Sequence, residues 1–228
     1  QAWLAVLASA VLHVLYSLVL QRGYRASDFS VVYPLARGTG PLLAVLGAMV
    51  VLHEWPSGLG WCGIAAIVLG ILLLADGPRL LRSGGQALRA GLRWGLLTGG
   101  FIAAYTVVDG WAIKALGLPP VLYYGLGLVL RTLLLAPQAL RDVPALRAQW
   151  ASHPAAIVWV GLLSPLAYTL TLLALQRAPL MYVAPIREMS MLVAVLLGAS
   201  LLRETLTPAR ALGVLCMLLG VSALALAG

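Results

Sequence analysis

Residues 36–54 read ARGTGPLLAVLGAMVVLHE, and residues 186–204 read IREMSMLVAVLLGASLLRE. At a fixed offset of 150 the match extends over 36–71 and 186–221. Arg37 falls on Arg187, Val45 on Val195, Leu52 on Leu202 and Glu54 on Glu204. Further along, Gly63 falls on Gly213 and Gly70 on Gly220. Upstream the offset becomes 155, pairing Leu-Gln-Arg at 20–22 with the same tripeptide at 175–177, Ser9 with Ser164, and His13 with Tyr168. An insertion around GYRASDF in the first copy accounts for the change of offset. One or two identities arise by chance; an ordered set of them marks an internal repeat.

Both copies consist of apolar segments. The 228-residue chain is 62% hydrophobic and 10% charged, with a mean hydropathy of +0.99, where soluble domains carry about 25% charged residues. Eight segments have roughly the 20-residue length that crosses a bilayer core: 2–20, 30–53, 58–76, 94–114, 120–138, 155–175, 180–202 and 208–227. Backbone polar groups in lipid must be bonded internally, which leaves helices or a closed barrel. The segments are too uniformly apolar for barrel strands. The expected fold is all-α: a polytopic membrane helix bundle of two inverted repeats, with eight transmembrane helices in this chain.

The inversion follows from counting. Five spans separate equivalent helices, an odd number, so the two copies cross the membrane in opposite directions. Inverted repeats are common in secondary transporters, where exchanging the conformations of the two halves turns one open state into the other. The expected organisation is a first repeat at 1–76 with three helices, a basic linker at 77–93, and a second repeat at 94–228 with five helices. The shorter first copy implies two helices missing from its start.

Net charge is +8, but the basic residues lie in short connections rather than on the solvated stripe a nucleic-acid site requires. Under an alternating topology one side receives Arg22, Arg25, Arg79, Arg82, Arg89, Arg93, Arg141, Arg147, Arg203 and Arg210, and the other receives Lys114 and Arg177. The positive-inside rule then places the linker in the cytoplasm and both chain ends outside. Cys62 and Cys216 fall within spans and read as small apolar residues. There is no GxxxxGK[ST] phosphate loop, HExxH, metal-spaced Cys/His set or nucleophile elbow. The sequence therefore calls for no cofactor and nominates no enzyme; the partners it implies are a small-molecule substrate and the lipid bilayer.

At this level the chain resembles the EamA-type transporters of the drug/metabolite transporter superfamily. The resemblance rests on YPLARGTGPLLAVLGAMVVLHEW with GWCGIAAIVLGILLLA, and on APIREMSMLVAVLLGASLLRET with ALGVLCMLLGVSALALA. LLTGGFIAAYTVVDGWAIKALG is similar to the opening helix of the family's second half. The resemblance implies ten helices in two inverted halves, two more than this chain has. It also implies transport of small metabolites, amino acids included, or export of toxic compounds across the bacterial inner membrane. Many members are drawn with both ends in the cytoplasm, whereas the charge count here gives the opposite orientation.

Ionisable side chains inside a bilayer are costly and so are functional candidates. Arg37 and Arg187 lead, since the repeat relates them and each follows a proline, Pro34 or Pro185, that is expected to loosen its helix. Inversion is expected to bring one arginine toward each side of the membrane, as partners for an anion; the competing reading is snorkelling to the headgroups. Asp109 and Arg131 sit on neighbouring spans, either as a structural ion pair or with Arg131 facing a central cavity and Asp109 acting in gating or proton coupling. Glu188 is a second coupling candidate, although on a regular helix it points about 100° away from Arg187. Glu54 and Glu204 sit at span ends and read as interface anchors.

His13 and Tyr168 lie in mid-span and join Tyr33 as substrate-shaping candidates; Tyr16, Tyr105, Tyr123, Tyr124 and Tyr182 are as readily interfacial belt residues. Gly63, Gly70, Gly213 and Gly220, and the row Gly91, Gly95, Gly99, suit close helix approach. The expected function is a secondary transporter of an amino-acid-like or other anionic or zwitterionic metabolite. The alternatives are an exporter of lipophilic cations or drugs and a non-transporting membrane scaffold or inactive fragment.

Overall fold

The computed structural model describes residues 1–27, 29–74, 86–193 and 207–227. Nine α-helices, besides a helical stretch at 189–193, lie among them: α1 (Ala2–Ala26), α2 (Phe29–Val51), α3 (Gly58–Leu74), α4 (Gln86–Lys114), α5 (Pro120–Ala139), α6 (Val143–Ser152), α7 (Pro154–Leu175), α8 (Leu180–Ile186) and α9 (Pro208–Ala227). A 3₁₀ turn, Leu140–Asp142, joins α5 to α6. No strand occurs among the described residues. Helix starts follow local chemistry. Proline, which lacks the N–H that a first turn leaves unpaired, opens α5, α7 and α9. Ser57 Oγ accepts from Gly60 N at 3.1 Å at the head of α3, and Thr207 Oγ1 accepts from Arg210 N at 3.3 Å at the head of α9.

Five stretches are long and apolar enough to cross a membrane: Ala2–Ala26, Arg89–Lys114, Pro120–Ser152, Pro154–Leu175 and Pro208–Ala227; Leu35–Val51 and Gly58–Leu74 are shorter apolar helices. Together they make a polytopic helical membrane protein, and the chain's exposed surface carries many large apolar side chains, among them Leu4, Val50, Leu162 and Leu219.

Two pairings form the frame. Helices α3 and α9 cross where Gly63 meets the Gly220 carbonyl and Gly70 meets the Gly213 carbonyl. Residue numbers rise on one helix as they fall on the other, so the pair is antiparallel. The contacts also exchange under the repeat: Gly63 and Gly220 map onto Gly213 and Gly70. A two-fold relation between oppositely directed helices produces this pattern. Helices α2 and α4 run parallel instead, with Gly95 against Leu35, Gly99 against Thr39, Gly40 against Ile102 and Gly47 against Val107. Lipid tails supply no hydrophobic drive between helices, so such close backbone approach gives the dispersion contact that holds them.

Several sequence boundaries require correction. The connection at 77–93 is helical from Gln86, because α4 extends upstream of its apolar part. The connection at 138–154 contains α6, capped by Asp142, whose carboxylate accepts from Ala145 N at 3.0 Å. The apolar run 180–202 is not one helix: α8 ends at Ile186, Arg187 and Glu188 form a turn, and helix resumes at 189–193. Pro185 sits just before that break. Helix α2, in contrast, continues through Pro34; the Pro34 side chain lies outside the described residues. Arg79, Arg82, Val195, Leu202, Arg203 and Glu204 also lie outside them.

Candidate functional site

The polar side chains singled out by the sequence come together in one connected chain through the bundle. At one end, Arg37 Nη1 donates to Glu188 Oε2 at 3.0 Å, and Arg187 Nε lies 3.5 Å from Glu188 Oε1. Glu188 thus stands between the two repeat-related arginines. Its side chain is 1% exposed, while Arg37 keeps 28% and Arg187 16% of theirs. Tyr33, one turn before Arg37 on α2, places its ring 5.2 Å from the Arg37 guanidinium carbon.

This geometry corrects two expectations. Glu188 and Arg187 do face one spot, because both lie in the turn after α8 and the 100° spacing of a regular helix does not apply. The two arginines do not approach opposite sides of the membrane either; they meet at a shared carboxylate. Residues related by a two-fold come together when they lie near its axis.

From Arg187 the chain passes to Tyr168 on α7, whose ring centre is 6.0 Å from the guanidinium carbon. The Tyr168 hydroxyl donates to Asp109 Oδ2 at 2.5 Å, and the Tyr123 hydroxyl donates to Asp109 Oδ1 at 2.7 Å. Asp109 is 1% exposed, and it has no ion pair among the described residues. The structural ion pair with Arg131 is therefore not formed. Arg131 lies deeper along α5, where its Nε donates to the Gly127 carbonyl at 3.2 Å and its guanidinium covers the Tyr124 ring at 4.6 Å. Charge-assisted hydrogen bonds to both oxygens are what a buried carboxylate without a cation requires.

An aromatic cluster surrounds this carboxylate. His13 stacks on Tyr105 with ring centres 3.9 Å apart and meets Tyr168 edge-on at 5.4 Å. Tyr16 and Tyr105 are 5.7 Å apart, and Tyr124 and Tyr168 are 5.1 Å apart. His13 Nδ1 donates to the Ser9 carbonyl at 2.9 Å, since a carbonyl can only accept; this leaves Nε2 as the acceptor nitrogen. The residues come from α1 (His13, Tyr16), α2 (Tyr33, Arg37), α4 (Tyr105, Asp109), α5 (Tyr123, Tyr124, Arg131), α7 (Tyr168) and the turn after α8 (Arg187, Glu188), so both copies contribute.

Tyr123 was not separated from the belt tyrosines by sequence, yet it is buried and holds Asp109. A signal existed: Asp109 and Tyr123 stand at similar distances from their shared loop 115–119, so antiparallel neighbours bring them level. Tyr182, another of that group, is buried and donates to the Ala227 carbonyl at 3.3 Å. Glu54 pairs with Lys114 Nζ at 3.2 Å and accepts from Met181 N at 3.1 Å. Those contacts tie the α2–α3 connection to α4 and α8. A separate cleft of about 740 Å³ opens between the ends of α1 and α5 and α6, lined by Gln21, Arg25, Gln138, Asp142 and Gln149 among others.

A comparison with curated proteins returned no match. The sequence profile of the EamA-like transporter family matches residues 89–226, from the first turns of α4 to the last of α9. That range takes in Asp109, Arg131, Tyr168, Arg187 and Glu188, and covers more than half of the chain. With its apolar helices and a charged chain of side chains buried between them, the protein belongs to the EamA-like transporter family, and is a multi-pass membrane transporter of the drug/metabolite transporter superfamily.

Proposed function

We propose that this protein is a secondary transporter that carries a small amino-acid-like or other anionic or zwitterionic metabolite across the bacterial inner membrane by alternating access. One observation carries the reading. Arg37 and Arg187, one from each copy, converge on a single carboxylate and keep part of their side chains exposed, while that carboxylate is buried between them. Guanidinium groups match carboxylates through paired N–H donors, and in a low-dielectric bundle an unmatched positive charge attracts an anion strongly. A ligand held there touches both halves, so rocking one half against the other exposes it to alternate sides. His13, Tyr33 and Tyr168 shape the site, Arg131 extends it, and Asp109 and Glu188 are the carboxylates available for coupling or gating.

The lipophilic-cation exporter remains as a second reading because of Asp109. It is a buried carboxylate without a cation among the described residues, held by the hydroxyls of Tyr123 and Tyr168, and aromatic faces attract organic cations. Transport in cells expressing Arg37→Ala and Arg187→Ala, each at wild-type protein level, tests the first reading. Both variants should lose anion or zwitterion transport. Unchanged transport in both would remove the arginines from the mechanism, and loss of cation resistance in Asp109→Asn alone would favour the exporter.

A further inference from the structure

The charges around Glu188 do not balance. Two guanidinium groups share one carboxylate, so the cluster carries one net positive charge. The arginine side chains are the less buried members: Arg37 and Arg187 are 28% and 16% exposed, and Glu188 is 1% exposed. Arg187 Nε and Glu188 Oε1 are both buried and lack a hydrogen-bond partner, although they stand 3.5 Å apart. Their ion pair is therefore imperfectly made, and Arg187 retains donor capacity. The repeat adds an independent observation. The position equivalent to Glu188 in the first copy is Gly38, so both copies supply the arginine and only one supplies the counter-charge.

From these observations we infer that Glu188 is a specificity-determining residue that sets the charge of the transported anion at one, making the substrate class a monocarboxylate, with or without an ammonium group elsewhere. The inference rests on the transporter reading above. The ligand carboxylate joins the Arg37 and Arg187 guanidinium groups and brings the cluster to neutrality, while Glu188 stays in place between them. A dicarboxylate or a dianionic phosphate in the same position leaves a net negative charge next to the buried Glu188 carboxylate, where such an excess is costly. With Glu188 neutralised the cluster carries two positive charges, and the preference reverses.

The test uses the purified full chain in lipid nanodiscs and two pairs of probes matched in length: butyrate against succinate, and glutamine against glutamate. Binding is read from ligand-induced thermal stabilisation titrated for each probe. The wild type should bind the singly carboxylated member of at least one pair about tenfold more tightly than its partner, the effect of one unmatched charge worth about 1.4 kcal/mol. Glu188→Gln should bring the order to parity or invert it, and Glu188→Asp should keep the wild-type order. Arg37→Gln, which brings the cluster to net zero, should weaken binding of the preferred probe by tenfold or more; it provides the reading if Glu188→Gln does not elute as a monodisperse protein. No binding by any probe, or the same order in wild type and Glu188→Gln, overturns the proposal. Flux measured on the same preparations separates the two claims. Flux with an unaltered charge preference in Glu188→Gln overturns the role of Glu188 alone, and a reversed binding order with no flux from any form overturns transport alone.

Discussion

Replacing Gly220 with alanine should pry apart the antiparallel pair α3 and α9. A Cβ at 220 meets the Gly63 carbonyl oxygen at 2.7 Å, Ile67 Cγ1 at 2.7 Å and Ile67 N at 2.9 Å. Ordinary contact begins at 3.4 Å, so the gap must widen by about 0.7 Å, the difference between those distances. Two of the three obstructing atoms are backbone, and no rotamer change can relieve them. A radial gap of 0.5–1 Å already forfeits about a quarter to a half of each dispersion contact across it, and overpacking of this kind costs about 1–3 kcal/mol. The comparison is Gly100→Ala on α4, where an added Cβ finds nothing within 4 Å and helix propensity favours alanine by up to about 1 kcal/mol. In detergent-solubilised protein followed by thermal loss of the monodisperse peak, Gly220→Ala should melt several degrees below wild type, at about 2–4 °C per kcal/mol for a chain of this size. Its symmetry mate Gly70→Ala, whose Cβ meets Met217 Cγ at 2.5 Å and the Gly213 carbonyl at 2.8 Å, should behave alike, and Gly100→Ala should not fall. If Gly220→Ala, Gly70→Ala and Gly100→Ala melted together, the close crossing would be refuted.

Asp109→Ala removes the acceptor of two tyrosine hydroxyls; at about 1–3 kcal/mol for each orphaned group it should destabilise more than Tyr168→Phe, which keeps the Tyr123 bond. Equal melting of the two variants would show that the carboxylate is not the centre of that cluster. Glu54→Ala loses a partly exposed pair with Lys114, worth up to about 1 kcal/mol, and a bond from the Met181 amide, so it should lower the melting temperature further than Glu54→Gln, which keeps an acceptor; identical values would mean that this tie carries no weight. Orientation is open to labelling in a Cys62→Ala, Cys216→Ala background. A membrane-impermeant maleimide should modify Trp55→Cys in intact cells and leave Gln149→Cys untouched, and the reverse pattern would contradict the charge count.

How much of this was legible beforehand depended on the kind of signal. The helices, their all-α arrangement and the glycines suited to close approach followed from apolar length and from the repeat, because both are local patterns; that α3 and α9 pair across those glycines comes from the structure. Arg37, Arg187, His13, Tyr168 and Asp109 stood out because polar groups in apolar runs are costly wherever the chain places them. The turn at Arg187 and Glu188 was hidden, since an apolar run looks the same whether its helix continues or breaks, and Pro34 shows that proline alone does not decide the matter. The meeting of both arginines at one carboxylate was hidden with it. Helix α6 could have been read from Asp142 followed by Val143-Pro144, a capping residue with proline in the first turn; its polar composition concealed it.

The most direct test of the central claim is solute flux into vesicles reconstituted with the purified chain and supplied with a panel of labelled amino acids and organic acids. The account predicts saturable uptake of at least one carboxylate-bearing solute, lost in the Arg37→Ala, Arg187→Ala double variant. Flux no greater than that of empty vesicles for every solute, or flux that survives loss of both arginines, would contradict it.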